Sequence, residues 1–236
     1  MTADRILTPL PDPLSWATAL AGTTIPVLRT TAAALAAFAE RQEDASAHKV
    51  AEVVMADPLM TARLFAYVSG RSSRGRVPVI GSVTAAIVMM GVPPFFANFA
   101  SLPTVADHLR DDHAAQQGLL KVVRRALRAT HYARDWAVLR HDVEAETIMM
   151  ATLLHDLPEM LLWCAAPAMA GEIAARLAAS PGLRSVHAQK AVLGVTSDEV
   201  RRALITVLRL PAFLSEVAEP RGHRSSQVRT VDLAIR

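Results

Sequence analysis

Residues 151–160 read ATLLHDLPEM. A His and an Asp stand side by side at the end of an apolar run, ETIMMATLL, that carries no charge after Glu146. Two side chains able to hold a metal or move a proton therefore emerge directly from what the pattern predicts to be buried helix. Outward from this stretch the pattern persists. The chain has 236 residues, of which 52% are hydrophobic, 5% aromatic and only 10 are Gly. Ala and Leu dominate, and apolar residues recur at helical spacing, which predicts an all-α protein with enough chain to bury one or two cores.

Composition also narrows the setting. No charge-free apolar stretch reaches the roughly 18 residues of a membrane-spanning helix, so no membrane span is expected. The beginning, MTADRILTPLPDPLSW, lacks a basic start followed by an apolar core and does not read as a signal peptide. The single cysteine, Cys164, excludes an internal disulfide and a cysteine-based zinc cluster, and fits a reducing cytoplasm. The net charge is only +3, with bases scattered among acids, so charge alone argues weakly for a nucleic-acid partner.

The chain reads as an N-terminal arm, residues 1–24, followed by one body, residues 25–236, in two helical parts of about 25–120 and 121–236. In the first part, helices are predicted over 26–41, 46–56 with Ser46 as cap, and 57–70 with Asp57 as N-cap and Pro58 opening the helix. Further helices are predicted between Ser82 and Gly91 and from the prolines at 93–94. In the second part the spacing predicts helices over 119–140, 145–157, 168–180, 197–210 with Ser197 as cap, 212–219 and 225–236. Trp136 and Trp163 read as core or inter-part contacts, whereas Trp16 sits in a Pro-rich arm of the kind that docks on a groove or partner.

Five stretches in order resemble the HDOD domain of bacterial regulatory proteins, a relative of the HD superfamily of metal-dependent phosphohydrolases. They are IPVLRTTAAALAAFA (25–39), AEVVMADPLMTARLFAYVSG (51–70), IGSVTAAIVMMGVPPFFANFA (80–100), ATLLHDLPEMLL (151–162) and GVTSDEVRRALITVLRLPAFL (194–214). The resemblance implies a helical HDOD-like array with an HD-like core in the C-terminal half. A working HD site would combine an upstream His, the His-Asp pair and a late Asp around a divalent metal that acidifies a water. His155, Asp156 and Asp232 stand at three of these places. The upstream position falls near Arg125–Ala126, neither of which binds metal, and His131 is the nearest substitute. After the pair, the catalytic pattern has a small residue and Lys; here Pro158 and Glu159 stand instead.

The resemblance with an incomplete ligand set implies a non-catalytic regulatory or scaffolding domain in bacterial signal transduction, with no cofactor. Its length leaves no room for a second signalling domain, so a stand-alone module is expected. Its partners would be signalling proteins such as a sensor kinase, a response regulator or a cyclic-dinucleotide enzyme. One alternative is a divergent phosphohydrolase using His131, His155, Asp156 and Asp232 around Mn, Fe or Mg on a nucleotide or phosphoester. Another is a nucleotide or nucleic-acid binder through Arg71, Arg74 and Arg76, in the basic loop GRSSRGRVP, with Arg124, Arg125 and Arg128 on the following basic helix. HLRDDH (108–113) reads as a polar loop, and the His residues at 48, 108, 113, 141, 187 and 223 as surface.

Overall fold

The computed structural model describes residues 5–41, 45–71, 80–142, 144–219 and 225–236, and the described residues form an all-helical domain. The first part contains α2 (Arg29–Glu40), α3 (Ala47–Met55), α4 (Pro58–Arg71), α5 (Val83–Met90), α6 (Val92–Phe99) and the single turn α7 (Val105–His108). The expected caps act here: Ser46 accepts from the Lys49 N–H and Ser82 from the Ala85 N–H. Gly91 ends α5 at φ 83°, a conformation that favours glycine. An isolated parallel bridge, Val27 to Thr104, ties the start of this part to its end.

The spine of the second part is α8 (His113–Leu139), 27 residues long, which runs through the expected division near residue 120. Against it lie α9 (Ala145–Leu153), α10 (Leu157–Ala165), α11 (Pro167–Ala179) and α15 (Ser226–Ala234). α12 (Ser185–Leu193), α13 (Ser197–Val207) and α14 (Ala212–Ala218) complete the array. α8 and α10 approach closely because Gly118 has no side chain: a Cβ there would lie 2.6 Å from Cε2 of Trp163.

Four helices fall outside the expected set: α1, α7, α10 and α12. α1 (Pro13–Gly22) lies inside the arm, capped by Asp12, which accepts from the Ser15 N–H. α1 packs on α13, with Trp16 fully buried and its indole N–H donating to the Leu193 carbonyl at 3.3 Å. The docking groove for this arm is therefore within the same chain. α7 ends at His108, the first residue of the expected polar loop, and α12 fills the stretch before Gly194. Within that loop Asp112 caps α8 and pairs with Arg5, and His108 is half-buried, bonded to the Cys164 carbonyl rather than lying on the surface. The cap of α13 is Thr196, one residue before Ser197; its hydroxyl and Glu199 satisfy each other's backbone N–H groups.

The helix expected over 145–157 ends earlier, at Leu153, as α9; after the turn Leu154–Asp156 the chain opens a second helix, α10, that lies beyond the expected range. Together Ala145–Ala165 has the length and hydropathy of a membrane span, but 78% of that window is buried inside the protein. It is the core of the fold.

Candidate functional site

The break between α9 and α10 places His155 and Asp156 on a turn that opens into a cleft of about 370 Å³. α11 and α12 give it apolar lining through Ile173, Leu177 and Val186. Its charged lining is Arg125 from α8, the His155–Asp156 turn, Glu159 from α10, and Asp198 and Arg201 from α13. Charge is concentrated on one side of a half-apolar slot.

Arg125 organises that side. Its Nε donates to Asp156 Oδ2 at 2.8 Å, and an Nη donates to Glu159 Oε2 at 2.7 Å. Burial opposes the Arg125 charge, but the two carboxylates outweigh it and hold its pKa above the ordinary arginine value. Arg201, with its side chain only 14% exposed, donates from Nε to the His155 carbonyl at 2.8 Å and from an Nη to Asp198 at 2.7 Å. It clamps the backbone of the turn to α13.

His155 is held neutral. Burial and the adjacent Arg201 cation push its pKa down to about 4, against the pull of Asp156 and Asp198. Its Nε2 stands 4.0 Å from Asp156 Oδ1. Its Nδ1 is buried and lacks a hydrogen-bond partner among the described residues. On the same helix pair, Cys164 is buried and its thiol pKa is pushed up to about 12, so it is inert as a nucleophile.

The residues do not fit a divalent metal. Such an ion needs three or four neutral or anionic ligands converging on one point. Here the pair offers one imidazole and one carboxylate, and that carboxylate is already neutralised by a guanidinium. The substitute ligand is elsewhere: His131 lines a different cleft, of about 590 Å³, with Glu52, Met55 and Met149. Asp232 is half-buried on α15 and is not among the residues lining the first cleft, which Ile235, the C-cap residue after α15, does line. Among the described residues, no three His, Cys, Asp or Glu side chains are grouped to hold a metal ion.

The arginine candidates divide as well. Arg125 is committed to Asp156 and Glu159 and so does not serve as a free anion-binding group. Arg124 and Arg128 are exposed on α8. Arg74, Arg76 and the side chain of Arg71 lie outside the described residues, as does His223.

An all-helical domain with a His-Asp turn, and an ion-paired arginine on the neighbouring long helix, is the class these features define. Within that class the chain belongs to the HDOD domain family, whose model matches residues 25–222. Solved structures agree on the fold. The MmoQ response regulator of Methylococcus capsulatus is 22% identical, with a TM-score of 0.63 over 90% of this chain and 85% of that one. A virulence factor from Campylobacter jejuni is 18% identical, TM-score 0.66, covering 93% and 80%. An HDOD domain protein of unknown function from Geobacter sulfurreducens is 18% identical, TM-score 0.50, covering 94% and 76%. No curated protein matches the chain.

Proposed function

We propose that this chain is a non-catalytic regulatory or scaffolding domain of bacterial signal transduction that works through protein–protein contacts. The observation that carries the reading is Arg125: a permanent cation bonds both Asp156 and Glu159 beside His155, where an HD-type site would need a ligand for its metal. A guanidinium there repels a divalent ion and ties the two helices together, which suits a stable framework better than a reaction centre. The similarity to a protein described as a response regulator supports the signalling setting. A sensor kinase, a response regulator or a cyclic-dinucleotide enzyme suits this role as partner, in the cytoplasm.

The test is calorimetric titration of the purified protein with Mn²⁺, beside a His155→Ala variant, followed by hydrolysis assays on phosphomonoesters and nucleotides. The expected result is no saturable binding that depends on His155 and no turnover. One ion bound per chain and lost in the variant, with hydrolysis, would overturn the reading and restore the phosphohydrolase.

A further inference from the structure

The exposed face of α8 carries a continuous stripe that neither cleft uses. Its first half is basic: Lys121, Arg124 and Arg128 are exposed on successive turns, and their side chains have no hydrogen bond or ion pair among the described residues. Its second half is aromatic and aliphatic. Tyr132 is 57% exposed and Leu139 76%, and between them Trp136 stacks on Tyr132 with ring centroids 6.1 Å apart. Positions 121, 124, 128, 132, 136 and 139 follow the three- and four-residue spacing that keeps side chains on one helix face. Asp135 lies on this stripe too, and it is paired with Arg134 at 3.3 Å.

We infer that this stripe docks an acidic amphipathic helix of a partner protein. The inference rests on the protein-contact reading above and names its surface. Unpaired cations in a row call for carboxylates at the same spacing, and the exposed Tyr132–Trp136–Leu139 segment calls for an apolar helical face continuing from them. The stripe spans about 27 Å at the rise of an α-helix, the length of a partner helix of about 18 residues. A second copy of this chain is a poor occupant, because the chain itself carries a net charge of +3. A nucleic acid would match the cations and leave Leu139 without a counterpart.

The test uses a fluorescent synthetic helix of about 18–20 residues, with glutamates on one face of its first half and leucines on the same face of its second. Its binding is read by anisotropy and compared with a DNA duplex and with anionic lipid vesicles. Saturable binding of the peptide is expected. It should weaken at least tenfold in Lys121→Glu/Arg124→Glu/Arg128→Glu and about tenfold in Tyr132→Ser/Leu139→Ser, both variants keeping their helicity and melting temperature. Absence of peptide binding overturns the inference, as does tighter binding to DNA or vesicles, or peptide binding untouched by the Tyr132/Leu139 change. Those failures leave the Mn²⁺ titration unaffected, so this surface and the non-catalytic reading fail separately.

Discussion

Asp57 precedes α4 and Asp156 precedes α10, and each helix carries a proline in its first turn. At the first junction the carboxylate is used locally. Asp57 Oδ1 accepts from the Leu59 and Met60 N–H groups, and Oδ2 accepts from the Leu28 N–H at 2.7 Å. The residue is fully buried; burial raises its pKa, and these hydrogen bonds oppose the rise. At the second junction Asp156 makes no side-chain cap; its carboxylate reaches 31 residues back to Arg125. The first helix start is closed by its own sequence. The second gives up its cap to hold a distant cation, and a helix start that leaves its cap unmade marks where the fold commits a side chain to something else.

The sharpest way to break this contrast is to remove the two carboxylates in turn. Asp57→Ala strands buried N–H donors and should cost about 3–5 kcal/mol in denaturant unfolding. A cost below about 1 kcal/mol would mean that the cap is not needed. The next effect is pH-dependent. With a folded pKa near 4 against about 6.5 unfolded, His155 takes up a proton more readily in the unfolded chain. Its contribution is therefore intact above pH 6.5 and lost as pH falls toward 4, by up to about 3 kcal/mol. Melting curves of the protein and of His155→Gln should separate across that window and run parallel above it. Asp156→Ala should cost only about 1 kcal/mol, because Arg125 keeps Glu159 and its side chain is 49% exposed. A loss equal to that of Asp57→Ala would erase the distinction between the two junctions. Smallest of all, Glu172→Ala breaks an exposed pair with Arg176 on α11 and should stay within about 0.5 kcal/mol.

The legibility of the sequence follows the same division. Asp57, Ser46 and Ser82 were readable as caps because their hydrogen bonds close within three residues. The His-Asp pair was readable because it interrupts an apolar run. Arg125 is legible as a misfit to the HD pattern and as one base of a basic helix, but not as an ion-pair partner; its bonds span 31 and 34 residues and leave no local trace. Arg201 is not legible as a site residue at all. In SDEVRRALITVLRL it looks like the wet side of an amphipathic helix, and its bond to the His155 carbonyl crosses 46 residues. α1 is hidden in the sequence because the neighbouring prolines and the brevity of the segment read as an arm, although Asp12-Pro13 is a helix start of the same type as Asp57-Pro58.

The bond from Trp16 to Leu193 sets a schedule for synthesis. The two residues are 177 positions apart, so at about 5–20 residues per second the ribosome takes roughly 10–35 seconds to deliver the acceptor after the donor. Through that interval α1 has made its indole and leucines but not the helix that covers them. The nascent chain thus holds an apolar segment in waiting, and α1, synthesised before α13, is seated only after it.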